Sequence, residues 1–114
     1  MTRTLILALL LLSGAPALAQ PIACVYTEPF VNTVFDPRSR SVTITQMTKP
    51  KAEKIRVSVR RGAADFELAN RRRAFRQTMV RDGKGSDGMS DTVFPYSATM
   101  TLAGLSSRLH GGCR

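Results

Sequence analysis

The sequence holds a single histidine, His110, which stands beside Gly111-Gly112 near the C-terminus. A serine–histidine relay needs a hydroxyl aimed at the imidazole, and the nearest serines, Ser106 and Ser107, lie too close along the same strand to face it. Neither a Gly-rich phosphate loop nor a zinc-ligand spacing occurs. The segment 82–91, Asp-Gly-Lys-Gly-Ser-Asp-Gly-Met-Ser-Asp, has the composition of a calcium loop. Lys84, however, occupies a ligand position, and the place of the bidentate glutamate falls on Val93. It reads instead as an Asx-rich turn in which Asp87 and Asp91 accept nearby backbone amides and the glycines take positive φ. An acid–base pair drawn from Glu28, Asp87 and Asp91 would need a cleft, which a domain of this size seldom provides. The chain thus reads as non-enzymatic, with no cofactor and no metal.

Two other residue types carry chemistry. Cys24 and Cys113 are the two cysteines, and two thiols with one distant histidine make a poor metal site. In an exported chain they read as a disulfide between Cys24 and Cys113. By the chain-entropy argument a loop this long stabilises by roughly 4–5 kcal/mol. The second type is arginine. Thirteen of the seventeen cations are arginine and the formal net charge is +9, a bias toward bidentate contact with phosphate or carboxylate. The densest cluster is Arg71-Arg72-Arg73 with Arg76 and Arg81, and neighbouring segments add Arg56, Arg60 and Arg61. Arg56, Arg60, Arg61, Arg71, Arg73 and Arg76 are the candidate anion-binding set. The competing readings are a solubilising surface and protection of a sheet edge.

Export is written at the N-terminus. Arg3 supplies a positive charge, residues 5–12 are an apolar run, and Ala17-Leu18-Ala19 offers the small side chains a signal peptidase selects. The run is too short to span a bilayer, which takes about 20 apolar residues. Residues 1–19 are therefore expected to be a signal peptide and 20–114 a single domain, with lipoprotein processing at Cys24 as the rival. An exported basic chain meets anionic sugars, phosphates and lipid head groups of the envelope, not nucleic acid. Positioning falls to strands, because apolar residues alternate with polar ones between turn residues. Val42 and Ile44 alternate with Ser41 and Thr43. Ile55, Val57 and Val59 alternate with Arg56, Ser58 and Arg60. Phe66 and Leu68, then Phe94, Tyr96, Ala98, Met100 and Leu102, repeat the pattern. Phe30 and Val34, with polar Asn32 and Thr33 between them, open an early strand, and strand is preferred to helix for the arginine-rich stretch 71–81. About seven short strands at this spacing predict an all-β fold, a small antiparallel meander forming a barrel or sandwich.

With Thr27-Glu28-Pro29-Phe30, Ser86-Asp87-Gly88-Met89-Ser90-Asp91 and Gly112-Cys113 in view, the chain resembles a family of uncharacterised small envelope proteins and lipoproteins of Gram-negative bacteria. Members carry Gly-Thr-Glu-Pro-Phe-Trp early, Cys-Ser-Asp-Gly-Met-Ser-Asp late and Gly-Cys near the end. Tyr26 replaces the glycine here, Val31 the tryptophan and Gly85 the cysteine. The family's late bridge is thereby lost, which leaves Cys24 as the partner for Cys113. The resemblance implies an exported β-domain without catalytic residues, in which Glu28, Ser86, Asp87, Ser90 and Asp91 form a structural clasp or a site. Two functions follow as expectations: association with an anionic envelope lipid or glycan through arginines, or a protein-interaction module, such as an inhibitor of a cell-wall hydrolase, that inserts the loop 86–91. The localisation expected is periplasmic or secreted. Intact mass of the envelope-extracted protein should correspond to residues 20–114 without lipid; a diacylglycerol adduct on Cys24 would contradict both the cleavage site and the disulfide.

Overall fold

The computed structural model describes residues 20–114; the expected signal peptide, 1–19, lies outside them. Nine strands follow in order: β1 (Ile22–Tyr26), β2 (Val31–Asp36), β3 (Ser41–Gln46), β4 (Glu53–Arg56), β5 (Ser58–Arg61), β6 (Asp65–Asn70), β7 (Phe75–Val80), β8 (Tyr96–Thr101) and β9 (Leu109–Cys113). All pair antiparallel in one sheet of order β4-β3-β2-β1-β9-β8-β7-β6-β5. The all-β meander read from the sequence is what forms.

Two seams roll this sheet into a nearly closed barrel. One joins the ends of the chain, with β1 against β9 in the register Cys24↔Cys113, Val25↔Gly112, Tyr26↔Gly111. Ala23 and Arg114 exchange both backbone hydrogen bonds, at 2.8 and 2.9 Å. The next pair along, Cys24 and Cys113, is thus a non-hydrogen-bonded pair, where opposed residues come closest. Their Cα atoms are 4.0 Å apart and the disulfide forms across the ladder. At the second seam the two edges of the sheet, β4 and β5, are successive strands with Val57 alone between them. Alternation runs through that bend unbroken, so one strand in effect pairs with β3 by its first half and with β6 by its second. The Val57 amide donates to the Arg40 carbonyl (3.0 Å) and Asn70 Nδ2 to the Arg56 carbonyl (2.7 Å).

The inward residues make the core: Tyr26, Val31, Val42, Ile44, Leu68, Phe75, Met79 and Met100 are almost wholly buried. Full burial of each large side chain stabilises by about 1.5–3 kcal/mol. Polar atoms inside the barrel are paired. Gln77 Oε1 accepts from the Tyr26 hydroxyl (2.9 Å) and from Thr33 Oγ1 (2.7 Å), while Gln77 Nε2 points to Met79 Sδ (3.7 Å). Burial holds the Tyr26 phenol neutral by pushing its pKa far up. Among the described residues no buried side-chain nitrogen or oxygen lacks a partner.

Local readings differ in instructive places. In β2 the inward set is Val31, Thr33 and Phe35, so Phe30 and Val34 are exposed and the polar Thr33 is inside. The stretch 71–81 splits into a turn, 71–74, and a strand starting at Phe75, so the arginine triplet does not straddle a sheet edge. Asn70 Oδ1 accepts the Arg73 amide (3.1 Å) and Ala74 closes the turn at φ 48. Phe94 is buried but not in the core. It lies against Gly112, where a Cβ would collide with its ring.

Replacing Cys24 by Ser should lower unfolding stability by about 2–5 kcal/mol in urea titration, the usual cost for a small secreted domain. Free-thiol labelling of both cysteines in the native protein would show that the seam carries no covalent bond.

Candidate functional site

The six candidate arginines fall into four environments. Arg60 on β5, Arg71 in the β6–β7 turn and Arg76 on β7 line one concavity of about 500 Å³ on the outer face, with Ser58, Glu67 and Ala69. Strand register produces this. Arg60 stands opposite Glu67, and Ala69 lies between Ser58 and Arg76, so two rows of outward side chains cross β5, β6 and β7 side by side. Glu67 approaches Arg76 at 3.8 Å, a loose contact with Arg76 largely in solvent. An exposed pair of this kind contributes little to stability. Three guanidinium groups against one carboxylate leave the concavity cationic. Arg76 is opposite Thr101, and with Thr99 and Arg108 they line a second, polar hollow.

Arg73 is engaged elsewhere. Its Nε and Nη2 grip both oxygens of Glu53, at 2.5 and 2.9 Å, a bidentate fork joining the β6–β7 turn to β4. The hydrogen bond from Arg73 is the chief reason the Glu53 carboxyl sits below its usual pKa, and the same bond raises that of Arg73. Arg61 points to the end of the barrel, with its guanidinium 5.5 Å from the Phe66 ring centroid. Arg56 is exposed on the outer face of β4, where its backbone, not its charge, is tied to Asn70.

The loop 81–95 folds back over the outside of the barrel. Gly85 and Phe94 exchange backbone hydrogen bonds (3.1 and 2.9 Å), and the Arg114 guanidinium covers the Phe94 ring at 5.5 Å. Gly85 packs so near the Tyr96 carbonyl that no side chain fits there. Inside the loop, Asp87 Oδ1 accepts the amides of Met89 (2.9 Å) and Ser90 (2.8 Å), and Oδ2 accepts from Ser90 Oγ (2.9 Å). Ser86 Oγ accepts the Gly88 amide (3.0 Å). These bonds, the one from the Ser90 amide first, lower the Asp87 pKa. Asp82 is lowered likewise, by the Lys84 amide and then Ser97 Oγ. Asp91 is exposed at the end of the loop.

The two motifs meet. The Thr27 hydroxyl donates to the Asp87 carbonyl (2.8 Å), with Gly88 turning beside it at φ 76. Glu28 is exposed in a left-handed conformation, φ 60, next to this tie. Thr27 is the residue the sequence reading passed over. It lies inside the quoted motif, but a threonine between Tyr26 and Glu28 gives no sign that its partner is 60 residues away.

Among the described residues no three His, Cys, Asp or Glu side chains gather as metal ligands, and no helix is long and apolar enough to cross a membrane. No family model, curated protein or solved structure matches the chain. Fold and site together define a class: a small, nearly closed antiparallel β-barrel with its first and last strands joined by a disulfide and three arginines gathered in one concavity of its outer face.

Proposed function

We propose that this barrel is exported to the periplasm or beyond and associates, without catalysis, with an anionic component of the cell envelope through Arg60, Arg71 and Arg76. One observation carries the reading: three arginines from separate segments line a single concavity that holds one carboxylate, Glu67. A purely solubilising surface needs no such convergence. Guanidinium groups match phosphate and carboxylate oxygens in pairs, so the concavity suits a phosphorylated lipid head group or an acidic glycan. The disulfide supports an oxidising compartment, and export makes nucleic acid a poor candidate partner.

A second reading has its own support. The loop 86–91 is braced from within by Asp87 and tied to Thr27, yet Met89 and Val93 remain 68% and 69% exposed. A rigid loop presenting apolar side chains suits insertion into a protein partner such as a cell-wall hydrolase.

The test is positional, because every cationic surface responds to salt over a screening length of about 8 Å at physiological ionic strength. Arg71→Gln with Arg76→Gln should weaken binding to phosphatidylglycerol vesicles by about fivefold more than Lys49→Gln with Lys51→Gln, although each pair removes the same charge. Arg73 is left intact, since its loss would unpair Glu53. Equal losses would show that the arginines act only as net charge, and the loop would become the leading interface.

A further inference from the structure

Along β1, β2, β5, β6 and β8 the inward alternation continues past the closed core to one end of the barrel, where it runs out of cover. Ile22, Val59, Phe66 and Tyr96 point inward but are only partly buried. With the buried Phe35 and the ring of Pro37 they line a pocket of about 160 Å³ at the barrel mouth. The residues are not left bare by a mismatch of register: Ile22 is opposite Phe35, and Phe66 is opposite Arg61. Apolar surface aimed into a concavity and left half in water lowers its free energy by taking up an apolar group.

The rim of this pocket is cationic. Arg61 and Arg114 line it, although the Arg114 guanidinium lies over the Phe94 ring, and the Arg81 guanidinium is 6.0 Å from the Tyr96 ring centroid. Arg61 stacks on Phe66, whose ring lies 6.3 Å from that of Tyr96. Among the described residues neither Arg61 nor Arg114 is in an ion pair. The acids nearest in sequence are turned to other work: Asp36 accepts the Arg38 amide and Asp82 the Lys84 amide, while Asp65 alternates with Phe66 and so faces outward. An apolar floor beside the guanidinium of Arg61, which is in no ion pair among the described residues, matches a molecule with one apolar end and one anionic end.

We infer that the barrel mouth formed by Ile22, Phe35, Val59, Phe66 and Tyr96 binds a medium-chain monocarboxylate, its chain inside the pocket and its carboxylate on Arg61. Size sets the chain length. A dry cavity of about 150 Å³ takes up a benzene ring, so this pocket holds about six carbons, and a carboxylate two bonds beyond reaches the rim. The two sites share Val59 as a wall residue, but none of Arg60, Arg71 and Arg76 lines this one, and it stands whether or not that surface binds the envelope.

The experiment is an NMR and calorimetric titration of the protein with a homologous series of carboxylates from butyrate to dodecanoate, and with octanol. Affinity should rise roughly fourfold per methylene up to about octanoate and then level off as further carbons find no pocket. Octanoate should bind more tightly than octanol, with resonance shifts concentrated at Ile22, Val59, Phe66 and Tyr96. Arg61→Gln, at an exposed position, should cost octanoate about tenfold and leave octanol unchanged. Octanol binding as well as octanoate, affinity independent of chain length, or shifts confined to the Arg60–Arg71–Arg76 face would each overturn the assignment.

Discussion

Everything in this molecule depends on closing the sheet. A meander of short strands leaves two open edges, and each edge is a row of unpaired amides and carbonyls that invites further pairing. Here the chain itself covers most of that exposure. The terminal strands β1 and β9 pair across 89 residues and are fastened by the Cys24–Cys113 bond. The two edge strands of the resulting sheet, β4 and β5, are halves of a single run bent at Val57. With a domain this small, a core alone is marginal, and closure converts one-sided strands into a barrel whose inward face is wholly shared.

Closure also decides where function can reside. Inward positions are filled by Tyr26, Phe75, Met79 and Met100, with Gln77 satisfying Tyr26 and Thr33, so the barrel is filled at its centre. Chemistry is displaced to the outer face, where the register of β5, β6 and β7 brings Arg60 and Arg76 into adjacent rows, and to the loops. Tight glycines let these parts meet. Gly112 admits the Phe94 ring, which anchors the long loop and with it the Asp87 turn that touches Thr27.

Much of this was legible in the residues because period-two alternation reports which face is buried. Ile55, Val57 and Val59 fell inward as their spacing implies, as did Ala98, Met100 and Leu102. Where the alternation failed, a specific interaction outweighed polarity. Thr33 reads as an outward residue but is held inside by Gln77, and Val34 is left exposed in exchange. Turns were harder. Glu28, Arg40 and Ala74 adopt positive φ without glycine, at a cost of about 1 kcal/mol or more each that tertiary structure imposes, so the turn at 71–74 carries no sequence signal. The arginines could be counted from the sequence but not grouped. Nothing in the spacing shows that Arg73 answers Glu53 while Arg60, Arg71 and Arg76 share a concavity.

Closure itself is directly measurable. Native-state hydrogen exchange resolved by residue should place the amides of Val25 and Gly112 at the terminal seam, and of Val57 at the bend, among the slowest in the protein, exchanging with those of β2 and β7 through global opening. Fast exchange at these positions, with β2 and β7 still protected, would show an open sheet with frayed edges and contradict the account.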